Sequence, residues 1–135
     1  MWLIFLNLIN MNKKKFNKLI KKIFLNHGLS NKHALIASKS LIKAELVGAP
    51  SHGLARLKMY CDRLKRKIIN PKPEIKIKKI SQSITHIDAD NSIGFVAADI
   101  GIKNAISNAT KTGFGLVGIK NSGHYGLSSF YAEQA

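Results

Sequence analysis

The chain has 135 residues, of which 45% are hydrophobic, and it carries a formal net charge of +15 at pH 7. This length and hydrophobic fraction suit one modest domain with a buried core, and they exclude a generally disordered chain. The single cysteine, Cys61, excludes an internal disulfide. Cys61 falls on the apolar face of a predicted helix, which indicates a small core residue rather than a nucleophile.

The positive charge lies almost entirely in the amino-terminal part of the chain. Residues 1–80 hold 19 of the 22 Lys and Arg, whereas residues 81–135 hold three Lys and four of the seven acidic residues. The excess is mostly lysine, and it accompanies many Ile and Asn, which share AT-rich codons with lysine. No basic stretch is interleaved with stacking aromatics. We therefore expect no specific nucleic-acid partner; a basic polyanion-binding protein, with salt-sensitive adhesion, is kept as an alternative function.

Residues 1–10 form a short apolar stretch that stands apart from the predicted domain. The stretch is too short to span a bilayer, and it lacks the basic region and cleavage site of a signal peptide. Met11 opens a helix directly afterwards, so residues 1–10 are predicted to be an over-extended start. The alternative is a short apolar tail that binds a membrane surface together with the lysines at 13–15. We expect a cytoplasmic protein with no membrane partner.

Residues 11–70 are predicted to form a helical segment. Apolar residues at helical spacing predict three helices with short breaks, over residues 12–26, 31–47 and 51–67. Gly28 and Gly48 are natural stops for the first two helices, and Ser30 can cap the second.

Residues 71–135 are predicted to be the start of an α/β domain, so the fold class is α/β with a helical lead-in. Pro71 and Pro73 interrupt the helical pattern. The pattern that follows predicts strands over 74–80 and 83–88, a turn over 88–92, a helix over 93–111, a strand over 114–120 that is buried on both faces, a loop over 121–126 and a helix from 127 to 135.

The first candidate site lies at the start of the predicted third helix. His52, Arg56 and Tyr60 recur every four residues, so a continuous helix would place them on one face. The Ser51 hydroxyl is positioned to accept an early backbone N–H, and helix amides with an Arg fork favour a carboxylate or phosphate. A titratable His beside them completes a candidate anion site. The same residues also suit a helix cap with a solvated face, and spacing alone leaves both interpretations open.

The second candidate is His124, in the loop directly after the last predicted strand. Gly123 and Gly126 on either side allow the backbone to fold closely around it. An imidazole there can act as a general acid or base near neutral pH. The alternative is a loop histidine that is hydrogen-bonded to local backbone.

Two other patterns carry no functional prediction. Residues 113–118 match G-x-G-x-x-G as a string, but they follow a predicted helix and open a strand, the reverse of a dinucleotide fingerprint. His27, His33 and His86 have no partner at ligand spacing, so no metal site is predicted.

Several of these stretches together resemble the malate/L-lactate dehydrogenase family. These are NAD(P)-dependent oxidoreductases with a non-Rossmann cofactor fold, and they include ureidoglycolate, sulfolactate and diketogulonate enzymes. The resemblance is carried by residues 26–28, residues 46–57 with Tyr60, and residues 113–126. It runs from about Met11 to the last residue, with an S-H-G-x-x-R block followed by an S-x-H-x-G block.

The resemblance implies hydride transfer between a nicotinamide, NAD or NADP, and a small 2-hydroxy or 2-oxo acid. Carried over by position, Arg56 would hold the substrate carboxylate, and His124 would exchange the hydroxyl proton. His124 would also be a cofactor-binding residue, on the nicotinamide side of the site. Ser51 and His52 would bind the substrate's oxygens, with His52 the rival for the acid/base role. Tyr60 would close the pocket wall.

The resemblance also implies a homodimer with its sites near the subunit interface. Family members are well over twice as long as this chain, and their later segments form most of the cofactor contacts. The chain is therefore expected to be the amino-terminal portion of such an enzyme, with an incomplete α/β domain. A non-catalytic truncated remnant is the second hypothesis. Neither the acid nor the preference for NAD or NADP follows from these residues.

Overall fold

The first two helices form the helical lead-in, as the apolar spacing predicts. In the computed structural model, which describes residues 12–135, α1 spans Lys13–Asn26 and α2 spans Asn31–Leu46. Phe24 of α1 and Leu41 of α2 are both fully buried and belong to one core cluster. The predictions for residues 1–10, an over-extended start or an apolar anchor, lie outside the described residues.

The breaks around these helices follow the predicted local chemistry. Gly28 follows α1 with a φ of +90°, a conformation that glycine adopts without steric cost. The Ser30 hydroxyl accepts the backbone N–H of His33 at 3.2 Å, so Ser30 is the N-cap of α2. Both predictions are confirmed.

The predicted third helix is wrong in its first part. Two single 3₁₀ turns, Pro50–His52 and Leu54–Arg56, come first, and α3 spans only Leu57–Lys65. The helical conformation is interrupted at Gly53, which has a ψ of −136°. The carboxylate of Glu45 on α2 accepts the N–H of Leu54, the residue that follows. His52 and Arg56 therefore do not share one face of a regular helix with Tyr60.

A three-stranded sheet and one long helix form the α/β part. The strands are β1 (Lys76–Lys79), β2 (Ile84–Ser92) and β3 (Leu116–Ser122), in the order β1-β2-β3, and α4 spans Gly94–Thr112. β1 pairs with β2 antiparallel, whereas β2 pairs with β3 in parallel through the α4 crossover. Thr85, Ile87 and Ala89 alternate as the buried positions of β2. The α/β class is confirmed.

Three details of this part differ from the sequence predictions. The predicted turn over 88–92 is wrong, because β2 continues through it with an irregular pairing in which Asp90 and Asn91 have positive φ. Asp and Asn tolerate this conformation better than other side chains do. The last helix, α5, spans only Ser129–Ala132.

The prediction that the last strand is buried on both faces is also wrong. Leu116 and Ile119 of β3 are 52% and 39% exposed. As the last strand in the sheet order, β3 pairs with β2 alone, and its outer edge is unpaired within residues 12–135.

The helical part and the α/β part share one buried cluster, which includes Phe24, Tyr60 and Phe95. The division of the chain near residue 70 therefore stays a prediction. Across residues 12–135, every helix is too short or too polar to cross a lipid bilayer.

Candidate active site

Three of the predicted site residues meet where α3 approaches the loop after β3. The Tyr60 hydroxyl lies 2.6 Å from Nδ1 of His124, although the two residues are 64 positions apart. The His52 ring stacks over the His124 ring, with centroids 5.7 Å apart and an interplanar angle of 26°. The fold thus brings both candidate stretches into one site.

Arg56 is fixed beside this histidine pair by the irregular backbone. Its Nε donates to the carbonyl oxygen of Ser51 at 2.8 Å. Among residues 12–135, no carboxylate lies within ion-pair distance of its guanidinium, and its side chain is exposed. The remaining N–H groups of the fork are therefore available to an anion.

Ser51 lies beside His52 and does not cap a helix. Its hydroxyl is 3.1 Å from Nδ1 of His52, and no backbone N–H among residues 12–135 donates to it. The predicted capping role of Ser51 is therefore wrong, because a single 3₁₀ turn replaces the helix start. A hydroxyl and an imidazole instead form a polar pair next to Arg56.

Tyr60 lies underneath the site rather than on its solvent face. Only 1% of the residue is exposed, and its ring packs against Phe95 with centroids 4.8 Å apart. Burial raises the pKa of the Tyr60 hydroxyl well above its usual value, against the opposing charges of Arg56 and Arg63. Tyr60 therefore keeps its proton near neutral pH.

Glycines fix the position of the His124 loop. A Cβ on Gly94, the first residue of α4, would lie 2.4 Å from the carbonyl oxygen of His124 and 2.5 Å from that of Gly123. Gly126 has a φ of +82°, and a Cβ there would meet the Phe95 ring at 2.5 Å. The loop thus packs directly on the start of α4, against Gly94 and the Phe95 ring.

Glu45 is a site-supporting residue that the sequence predictions missed. It is 2% exposed, and besides bonding Leu54 it fills the space where a Cβ on Gly53 would lie. One signal was available, since Glu45 is the single acidic residue among residues 12–61. Helical spacing alone placed Glu45 in the predicted second helix and indicated no contact with the site.

The surroundings of His124 favour its neutral form. Partial burial lowers the pKa of His124 below its usual value of 6.5, and the nearby His52, Arg56 and Arg63 lower it further. Because this pKa is depressed in the folded state, the associated stability is complete above about pH 6.5. It is lost as the pH falls through the folded-state pKa.

Replacing His52 with asparagine is expected to raise the pKa of His124, because a charge that opposes protonation is removed. The measurement is a pH titration of the His124 ring protons by NMR. His33→Asn, far along the sequence on α2, is the control and is expected to leave the midpoint unchanged. A His124 midpoint above 6.5 in the unaltered chain would contradict the described environment.

The chemistry of these residues is that of a small-anion site with a neutral imidazole. Within residues 12–135, no three His, Cys, Asp or Glu side chains gather closely enough to hold a metal ion. An added Cβ on Gly123 would meet no atom within 4 Å, so open space adjoins His124 on that side.

Comparison with known families identifies the kind of protein that shares these features. The model of the malate/L-lactate dehydrogenase family matches residues 11–135. The chain is 36% identical to a malate dehydrogenase of Pyrococcus abyssi over 129 residues, which cover 96% of this chain and 36% of the relative. It is 31% identical to the NAD(+)-dependent ureidoglycolate dehydrogenase of Escherichia coli K12 over 127 residues, 94% of this chain and 36% of that enzyme.

Solved structures show the same likeness. Malate dehydrogenase from Pyrococcus horikoshii OT3 superposes with a TM-score of 0.88 at 34% identity, over 91% of this chain and 35% of that one. Sulfolactate dehydrogenase from Methanocaldococcus jannaschii gives a TM-score of 0.87 at 35% identity, over 90% and 35% of the two chains. The chain therefore spans about a third of the length of the relatives it matches.

Proposed function

Because this chain belongs to the malate/L-lactate dehydrogenase family, we propose that its site binds a small 2-hydroxy or 2-oxo acid for NAD(P)-dependent hydride transfer. The observation that carries the proposal is that the His52 and His124 rings stack on each other, although they come from two distant stretches of the chain. The exposed side chain of Arg56 lies near them and is held by the Ser51 carbonyl. This arrangement supplies a carboxylate anchor and a proton-exchanging imidazole together.

Each residue has a role that follows from its position. The Arg56 fork holds the substrate carboxylate, and Ser51 with His52 bind the neighbouring oxygens. His124 exchanges the proton of the oxygen on the reacting carbon. Tyr60 positions His124 from below. When bound, the nicotinamide of NAD or NADP would supply or accept the hydride.

The relatives suggest the broader setting of this activity. These relatives are malate, sulfolactate and ureidoglycolate dehydrogenases, and each of the three acids carries a carboxylate on the carbon that bears the hydroxyl group. We also propose a homodimer, as the family resemblance implies, and a cytoplasmic location, as expected from the sequence. Because the chain covers about a third of those enzymes, most contacts to the dinucleotide are assigned to segments outside it.

A direct test separates ligand binding from turnover. The chain is titrated with malate, lactate and pyruvate while the ring signals of His52 and His124 are followed by NMR. It is also assayed for reduction of NAD+ and NADP+ with the same hydroxy acids. Binding with turnover supports the whole proposal, and binding without turnover supports the non-catalytic remnant. Absence of any shift at either histidine would contradict the substrate site.

Replacing Arg56 with alanine is expected to raise the Kd for the acid by about 10- to 100-fold. Where turnover occurs, KM is expected to rise by a similar factor. The loss of charge-assisted hydrogen bonds to a carboxylate explains a change of this size. Arg66→Ala, an exposed arginine just after α3, is the matched control for the loss of one positive charge. An affinity for the acid that is the same in both variants would remove Arg56 from the carboxylate role.

A further inference from the structure

The δ-nitrogen of His124 faces two hydrogen-bond donors. The backbone N–H of Gly126 donates to it at 3.2 Å, and the Tyr60 hydroxyl lies 2.6 Å away. Gly126 and Tyr60 are both buried. A backbone N–H can only donate, so its contact requires a lone pair on Nδ1.

The opposite tautomer would leave two donors without acceptors. With a proton on Nδ1, the Gly126 N–H would point at another N–H, and no other acceptor for it is found in the described part of the chain. The Tyr60 hydroxyl would then accept from His124, and its own proton would have no partner within residues 12–135. Burying donors without acceptors costs their full desolvation, so this arrangement is strongly disfavoured.

We propose that Tyr60 and the Gly126 N–H together hold neutral His124 in the tautomer that carries its proton on Nε2. Tyr60 is then a positioning residue that acts through His124, and the hydroxyl donates to Nδ1. The same two contacts oppose the doubly protonated ring, in agreement with the low pKa of His124. At neutral pH the resting imidazole therefore offers a ligand an N–H donor and no lone pair.

This tautomer favours one chemical class of ligand. A carbonyl oxygen only accepts hydrogen bonds, so the keto group of a 2-oxo acid is matched to an Nε2–H donor. A 2-hydroxy acid can accept the same hydrogen bond, but its proton cannot pass to Nε2 until the tautomer changes. This consequence rests on the proposed function, whereas the tautomer itself does not.

The experiment reads the tautomer in the ligand-free chain, so it is independent of acid binding. Long-range proton–nitrogen NMR spectra of the ¹⁵N-labelled chain, above the pKa of His124, show which ring nitrogen is unprotonated. His124→Gln assigns the signals. The expected result is an unprotonated Nδ1 and a protonated Nε2. A protonated Nδ1 in the unaltered chain would overturn the proposal.

A pair of variants tests the part played by Tyr60. Tyr60→Phe is expected to raise the share of the Nδ1–H form by roughly fivefold, the effect of one lost hydrogen bond. Tyr125→Phe is the control, because its hydroxyl contacts Ser128 and not His124. Backbone amide spectra check that both variants fold. A tautomer ratio unchanged in folded Tyr60→Phe would show that Tyr60 does not hold the ring.

Discussion

Replacing His124 with alanine is expected to lower kcat for 2-hydroxy acid oxidation by roughly 10²- to 10⁴-fold, with a much smaller change in KM. Loss of a positioned general acid or base has an effect of this size. The carboxylate anchor at Arg56 does not depend on the imidazole, since Arg56 is held by the Ser51 carbonyl. The measurement is the steady-state rate at which the acid reduces NAD(P)+, in a preparation of the polypeptide that shows turnover.

Two further variants make this result specific. His86→Ala removes an exposed histidine on β2, outside the site, and is expected to leave kcat unchanged. His52→Ala tests the rival assignment, because the His52 ring stacks on His124 and could exchange the proton instead. Full kcat in His124→Ala, with a collapse of kcat in His52→Ala, would transfer the acid/base role to His52.

Replacing Gly94 with alanine is expected to lower the free energy of unfolding by about 3 kcal/mol, the upper range for an overpacked core site. The new Cβ would lie 2.4 Å from a backbone carbonyl oxygen, and no side-chain rotation can relieve that contact. Either α4 or the His124 loop has to shift. The measurement is chemical denaturation followed by circular dichroism.

Gly123→Ala is the matched control, since it adds the same methyl group to the loop that Gly94 contacts. An added Cβ at Gly123 meets no atom within 4 Å, and its φ is not positive, so stability is expected to change little. Equal stabilities of the two variants would contradict the close packing of the loop on α4. The Gly94→Ala chain is also expected to lose the Tyr60–His124 contact.

Local sequence signals predicted the first two helices and the break between them. Lysines and apolar residues at helical spacing place α1, and Ser30 and Gly28 define the break before α2, because each effect acts within one turn of chain. Contacts between neighbouring residues decide these features.

The geometry of the site could not be predicted in the same way. Periodicity put His52, Arg56 and Tyr60 on one helix face, but the helical conformation is interrupted at Gly53. There the carboxylate of Glu45, nine residues before Leu54, packs against the backbone and accepts the Leu54 N–H. Tyr60 was expected at a pocket wall and is instead buried, because Phe95 of α4 packs against it. Such contacts depend on distant parts of the chain.

The family resemblance identified which residues belong together, and the structure supplies their arrangement. The motifs at 50–60 and 121–126 lie far apart in sequence, and the sequence does not give the distance between them in space. Only the fold shows that His52 stacks on His124 while Tyr60 approaches from the buried side. The resemblance therefore gave the residues of the candidate site, and the tautomer that we propose for His124 rests on the contacts of its ring.

The Tyr60–His124 contact also links ligand binding to the thermal stability of the folded chain. It joins two residues 64 positions apart, so the complete site exists only when the helical and α/β parts are folded together. A ligand that binds the folded chain alone stabilises it by about 2.7 kcal/mol at a concentration of 100 times Kd. A rise in the melting temperature on adding an acid therefore serves as a simple screen for the natural substrate, even where no turnover is seen.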